Sequence, residues 1–206
     1  MKILSNTAKG TKAKKKLKHW IPMCNTWAFN IERYTRLTYQ GDSPYNNNER
    51  ANIGLLAGAA WSCGNIALEE FQSLKGGEGN ETNGRIDLWL CSENKKDEYI
   101  EAKFKRMSIN GNYLKNIKAT LEAAVNDAKY TKRDDDEISI GVAFIVFYIK
   151  EHSVNDVLSS LDEAIFNINK NINADILSWC FPERDVEFVD SDGYIYPGII
   201  MLGKRV

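Results

Sequence analysis

The chain has 206 residues, of which 43% are hydrophobic and 27% are charged, and its formal net charge is −1. At about 150 residues per domain, this length predicts one domain with room for a terminal extension. The apolar content excludes a disordered chain, because such chains lack the apolar surface that offsets chain entropy. No apolar run approaches about 18 residues, so no membrane span is expected. The basic N-terminus is not followed by an apolar stretch of about 7–15 residues, so no secretory signal is expected either.

Positive charge is concentrated at the start of the chain. Residues 1–20 contain seven lysines and no acidic residue, so the rest of the chain holds 20 basic against 28 acidic residues, a net charge of −8. A basic arm on an acidic body fits contact with a polyanion, and Lys14, Lys15 and Lys16 are its candidate nucleic-acid contacts. The alternative is a solvated, frayed terminus.

The first predicted elements surround a turn-rich segment. Residues 20–37 are rich in aromatic side chains and are expected to pack on the body, without a clear secondary structure. Turn-forming residues fill positions 40–48, and apolar spacing then predicts a helix over 48–62. Composition thus divides the chain into a basic arm with an aromatic-rich extension, 1–47, and a domain, 48–206.

The remainder of the chain alternates between strand and helix patterns. Residues 66–73 form either a strand or a continuation of the preceding helix, and the Gly64-Asn65 break favours a strand. The later elements are strands at 85–91 and 98–105, a helix at 112–132, a strand at 138–149, a helix opened by Ser153, and strands at 176–181 and 194–202. This order, α-β-β-β-α-β-α-β-β, predicts an α/β domain with a mixed sheet flanked by helices. The 138–149 strand is apolar throughout and is therefore expected to be buried on both faces.

Charged side chains interrupt two of the apolar strands. Because side chains alternate along a strand, Asp87 lies on the face opposite Ile86, and Glu101 and Lys103 lie on the face opposite Ala102. An odd number of residues in the connecting turn would set Asp87 across from Glu101 or Lys103. A face with two carboxylates and a lysine suits the wall of a cleft, since unpaired carboxylates are costly to bury.

An Asp on one strand followed by Glu-x-Lys on the next, as in Asp87 and Glu101-Ala102-Lys103, resembles the PD-(D/E)XK nuclease superfamily. The restriction-endonuclease-like core of that superfamily runs α-β-β-β-α-β. The resemblance covers residues 48–149, about half of the chain, and departs from the family pattern at Ile86, where a proline is usual. It implies an endonuclease that hydrolyses DNA with Mg²⁺ or Mn²⁺, in a restriction, repair or mobile-element setting.

The chemistry of phosphodiester hydrolysis gives these residues separate roles. Mg²⁺ held by one or two carboxylates keeps several waters and a place for a phosphate. Asp87 and Glu101 would be the ligands, with the backbone carbonyl of Ala102 as a third. Lys103 would hold or help to deprotonate the attacking water and offset charge on the phosphate. The alternative is a structural ion pair on an exposed hairpin.

Four further residues are candidates around this motif. Family members often add an acid from the first helix, and either Glu49 or Glu70 fits that role. Lys105 and Arg106 are candidate phosphate contacts. The main alternative function is a noncatalytic member of the same fold that binds nucleic acid or a protein. Cutting both DNA strands would require two active sites and hence usually a homodimer. Widely spaced cysteines favour a reducing, cytoplasmic compartment.

Overall fold

The computed structural model describes residues 8–38, 42–76, 82–93, 96–131, 137–150 and 154–206. Within these ranges it contains five α-helices and an eight-stranded mixed sheet. The strands are β1 (Lys9–Ala13), β2 (Ile66–Lys75), β3 (Thr82–Cys91), β4 (Glu98–Ser108), β5 (Ile138–Lys150), β6 (Ile176–Cys180), β7 (Tyr194–Ile195) and β8 (Ile199–Arg205). The helices are α1 (Ile21–Leu37), α2 (Glu49–Ser62), α3 (Tyr113–Thr131), α4 (Val154–Asn171) and α5 (Glu183–Glu187).

The sheet order β1-β6-β8-β5-β4-β3-β2 confirms the predicted α/β class. β4 and β5 are parallel, and the other neighbours along this path are antiparallel. β7 pairs separately with the end of β5. No helix in the described ranges is long and apolar enough to cross a membrane.

Most predicted elements from residue 48 onward are confirmed. The segment after Gly64 is the strand β2, as the Gly64-Asn65 break favours, and not a continuation of α2. The predicted last strand is divided into β7 and β8, because Pro197 lacks an N–H for the ladder and Gly198 has φ 149°. Ser153, the predicted start of α4, lies outside the described residues.

Two apolar layers cover the two faces of the sheet. Along β5, Ile140, Val142 and Phe144 belong to the core under α1 and α2. Ala143 and Ile145 point to the opposite core, under α3 and α4. β5 is therefore buried on both faces, as its continuous apolar sequence predicts.

The described part of the N-terminal segment is built into this architecture. β1 pairs with β6 at one edge of the sheet. Leu17, Trp20 and Trp27 are fully buried and share a core with α2 and β5. The compositional boundary at residue 47 therefore does not separate two cores. Lys2 and the rest of residues 1–7 lie outside the described residues.

Candidate active site

The site forms where β3 separates from β4. In the described residues, backbone pairing between these strands ends at Leu88 and Ile100. Beyond that point, the N–H of Ala102 donates to Asp87 Oδ2 at 2.7 Å and the N–H of Phe104 donates to Glu49 Oε2 at 3.0 Å. The two carboxylates thus take the place of a neighbouring strand. We call this region the β3–β4 gap.

The predicted register across the hairpin accounts for the position of Asp87. Leu88 is opposite Ile100, so one step further along the strands Asp87 comes to face the Glu101 side of β4. The N–H and C=O of one residue point to the same side of a strand, so the Ala102 carbonyl also faces the gap. Asp87 therefore lies beside the Ala102 backbone, in contact with its N–H; the role of the carbonyl as a ligand stays a prediction.

Glu101 is the most deeply buried of the predicted acids. Its side chain lies on the α3 face of β4 and the residue is 3% exposed. One carboxylate oxygen, Oε1, accepts hydrogen bonds from Lys75 Nζ at 2.5 Å and from Thr131 Oγ1 at 2.8 Å. Burial and the negative charge of Asp87 raise the pKa of Glu101, partly opposed by these two donors. Glu101 is thus neutralised by its own protein neighbours.

Lys103 lies on the same face, two residues further along β4. Its Nζ pairs with Asp127 Oδ2 of α3 at 2.6 Å. Burial lowers the pKa of Lys103, but the hydrogen bond with Asp127 and the charge of Glu49 outweigh it, so the pKa lies above its ordinary value. Lys103 is therefore an ammonium ion at neutral pH, which suits charge stabilisation and not proton abstraction.

Glu49 and Asp87 also have raised pKa values. In both, burial is the largest cause. The charge of Asp87 raises the pKa of Glu49 further, whereas the charge of Lys103 and the backbone N–H bonds lower both values in part. Two half-buried carboxylates close enough to influence each other are typical of sites that bind a cation or exchange a proton.

The second candidate for the auxiliary acid, Glu70, has a different environment. Its carboxylate accepts hydrogen bonds from Arg50 at 2.8 Å and Arg85 at 3.2 Å. Desolvation raises the pKa of Glu70, but the two arginines outweigh it, so the pKa lies below its ordinary value. Glu70 and Glu49 both line a cleft of about 270 Å³ together with Asp87. Of the two acids, the one bonded to β4 is Glu49.

The predicted basic contacts fall into two groups. Lys105 and Arg106 are exposed on β4 just beyond the gap, and the Arg106 guanidinium lies 5.8 Å from the ring centroid of Phe104. The lysines at positions 14–16 follow β1, which is four strands from β4 in the sheet. At about 4.8 Å per strand this is about 19 Å. Lys14 Nζ there donates to Asn173 at 2.7 Å.

The donor chemistry of the gap fits Mg²⁺, a cation that prefers carboxylate and carbonyl oxygens. Among the described residues, no group of three or more His, Cys, Asp or Glu side chains is arranged to hold a metal ion. Asp87 and Glu101 therefore do not belong to a complete set of protein ligands for a metal ion. Mg²⁺ is usually bound by one or two carboxylates and keeps several waters, so a complete set of protein ligands is not required.

No family model matches the chain, and no curated protein or solved structure matches it. The geometry of the β3–β4 gap is therefore what supports a function.

Three residues that contact the site are not identified by the sequence patterns. Lys75 and Thr131 bond to Glu101, and Asp127 bonds to Lys103. Each lies more than twenty positions from its partner and comes from β2 or α3. Only the topology could indicate these partners. When the strand that follows β4 is parallel to β4, the helix that connects the two must cross back over β4.

Proposed function

We propose that this protein is a divalent-metal-dependent endonuclease of restriction-endonuclease-like fold that hydrolyses phosphodiester bonds in DNA. The observation that carries the proposal is the convergence of Glu49, Asp87 and Lys103 where β3 and β4 separate. Carboxylates with pKa values raised by burial and by one another cost stability, and they are typical of functional sites.

The residues of the β3–β4 gap would have separate roles in hydrolysis. Asp87 and Glu101, with the Ala102 carbonyl, would hold Mg²⁺ or Mn²⁺, which supplies charge for a phosphate oxygen and a more acidic water. The Lys103 ammonium stabilises negative charge that accumulates on the phosphate. Glu49 uses Oε2 for the Phe104 N–H and accepts a proton from water at Oε1, a role suited to a carboxylate of raised pKa. Lys105 and Arg106 contact the DNA backbone next to the gap.

The role of Lys103 is tested by nicking of supercoiled plasmid DNA in Mg²⁺. We expect Lys103→Met to slow nicking by at least about a hundredfold, because removal of one charge-stabilising donor typically has this effect. Lys170→Met, on the exposed last turn of α4, is the matched control and should nick at the wild-type rate. Equal rates for the two variants would contradict the role of Lys103.

A noncatalytic nucleic-acid-binding module is the second candidate function. It is favoured by the ion pair between Lys75 and Glu101, because a protein cation already balances that carboxylate. Calorimetric titration with Mg²⁺ separates the two functions. The nuclease proposal predicts binding to the wild-type protein and its loss in Asp87→Asn. Absence of Mg²⁺ binding to a folded wild-type protein would favour the binding module.

The proposed function also has consequences for oligomeric state and cellular compartment. Cleavage of both DNA strands requires two copies of the site, and hence a homodimer acting on the duplex. All four cysteines are free, in keeping with a reducing, cytoplasmic compartment.

A further inference from the structure

We propose that Arg50 and Arg85 form a binding site for a backbone phosphate next to the one that is cleaved, and that Glu70 occupies this site when no nucleic acid is bound. The inference rests on the proposed nuclease function and adds the residues that position the substrate in the cleft.

The two arginines reach Glu70 from different elements. Arg50 lies in the first turn of α2 and its Nη2 is 2.8 Å from Glu70 Oε1. Arg85 lies on β3 and its Nη1 is 3.2 Å from Glu70 Oε2. Each guanidinium thus holds a different oxygen of one anion. Two non-bridging oxygens of a phosphodiester present the same charge and acceptor geometry, for which arginine is well suited.

The ion pairs that hold Glu70 are open to solvent. The side chains of Arg50 and Arg85 are 69% and 64% exposed, and that of Glu70 is 37% exposed. Exposed ion pairs contribute little to stability, because water and salt compete for both partners. A phosphate can therefore replace the carboxylate at low cost, with the arginines already converged.

The backbone of Glu70 is unusual for a residue with a side chain. Its φ of 54° lies in the left-handed region, where steric contact of Cβ disfavours residues other than glycine. The pairs Glu69–Leu88 and Phe71–Ile86 flank this position in the β2–β3 ladder, so Glu70 lies opposite Asp87. Strained backbone next to a candidate catalytic residue is typical of functional sites.

Each of the two arginines lines a different concave surface, and Glu70 lines both. Arg50, Glu70 and Asp87 line the 270 Å³ cleft at the start of α2. Glu70 and Arg85 also line an open depression of about 730 Å³ along β2 and β3. Glu70 lines both surfaces, so a nucleic-acid backbone that runs from the depression into the cleft would pass Arg85, Glu70 and Arg50 on its way to Asp87. On this path the bound phosphate would be a neighbour of the cleaved phosphate on the same strand.

The test measures binding of a fluorescent DNA duplex of about 20 base pairs in EDTA, where no cleavage occurs. We expect Arg50→Ala and Arg85→Ala each to weaken binding about tenfold and to reduce the slope of log Kd against log salt by about one. We expect Glu70→Gln to strengthen binding about threefold, because it removes the competing charge. Arg33→Ala, an exposed arginine of α1 that does not line the cleft, is the matched control and should stay within twofold of the wild type.

Plasmid nicking by the wild type, measured in parallel, distinguishes failure of the arginine site from failure of the proposed nuclease function. If the wild type nicks DNA but the arginine variants keep the wild-type Kd and salt slope, the arginine site is wrong and the nuclease stands. Weaker binding by Glu70→Gln would also overturn the site. A wild type that neither binds the duplex nor nicks the plasmid would overturn both.

Discussion

Glu101 combines the strongest sequence signal with the least expected environment. Alternation with Ile100 and Ala102 predicts that Glu101 lies on the opposite face of β4, expected to be the wall of a cleft, and in the structure α3 covers that face. There the carboxylate is buried between Lys75 and Thr131. A buried charge requires partners, and here the partners come from the chain itself.

Replacement of Lys75 tests how much this buried pair stabilises the fold. We expect Lys75→Met to lower the free energy of unfolding by about 3 kcal/mol, because it leaves the Glu101 carboxylate buried without its cation. Urea unfolding of Lys118→Met provides the control. Lys118 pairs with Glu122 on the exposed surface of α3 at 3.9 Å, and its loss should cost about 0.5 kcal/mol or less. Equal losses for both variants would show that Lys75 does not balance Glu101.

Local alternation predicts correctly that Glu101 and Lys103 share a face of β4, because the period of a strand depends only on neighbouring residues. The partners of these residues follow no local rule. Asp127 reaches Lys103 only because α3 packs across β4, and that packing depends on the whole sheet. The choice between Glu49 and Glu70 likewise depends on where the start of α2 lies relative to the gap.

At the scale of elements, the close approach of α3 to the sheet positions Asp127 and Thr131. A Cβ added at Gly141 of β5 would lie 2.4 Å from the backbone nitrogen of Val125 in α3. Gly141 pairs with Glu101 across the parallel β4–β5 ladder. The absence of a side chain at this position therefore lets α3 lie near enough to reach the candidate site.

Two glycine substitutions test this packing. We expect Gly141→Ala to lower the free energy of unfolding by about 1–3 kcal/mol, since the clash is with backbone atoms that must shift. Gly58→Ala in α2 is the opposite case, because a Cβ there meets nothing within 4 Å. It should stabilise the protein by about 0.5–1 kcal/mol through helix propensity. Thermal unfolding measures both, and a neutral Gly141→Ala would contradict the tight α3–β5 contact.

The elements with strong periodicity, such as α3 and β5, are predictable because burial imposes a pattern on their own residues. β1 is not predictable in this way. Its sequence, Lys-Gly-Thr-Lys-Ala, lacks apolar alternation, and its partner β6 lies far along the chain. The division between β7 and β8 depends on the backbone of Gly198, where a Cβ would lie 2.1 Å from the Cys180 carbonyl oxygen.

At the scale of the whole molecule, the raised carboxylate pKa values make stability depend on pH. Raised values mean that the folded protein binds protons more tightly than the unfolded chain. Ionisation of Glu49, Asp87 and Glu101 therefore destabilises the fold as the pH rises through their raised pKa values. The stability that these groups contribute when protonated is lost at neutral pH.

The pH dependence is tested by comparing Asp87→Asn with the wild type. We expect the variant to be more stable by about 1 kcal/mol at neutral pH, because it removes a half-buried charge. Below about pH 3 the Asp87 carboxyl is protonated in both the folded and unfolded states, so the difference between the two proteins should vanish. Urea unfolding across this range measures it. A variant less stable than the wild type at neutral pH would contradict the destabilising charge assigned to Asp87.

The near-zero net charge of the molecule conceals a spatial separation of basic residues. Arg50, Arg85, Lys105 and Arg106 surround the β3–β4 gap, whereas the lysines at positions 14–16 follow the edge strand β1. Contact of those lysines with nucleic acid stays a prediction. The charge that matters for the proposed function is local to the gap.

The proposed metal-dependent nuclease activity is tested most directly by nicking of supercoiled plasmid DNA by the wild type and by Asp87→Asn, in Mg²⁺ and in EDTA. Asp162→Asn, on the exposed surface of α4, is the matched control. We expect nicking by the wild type and the control in Mg²⁺ only, and a rate at least about a hundredfold lower for Asp87→Asn. Nicking by Asp87→Asn at the wild-type rate, or no Mg²⁺- or Mn²⁺-dependent nicking by the wild type, would contradict the proposed activity.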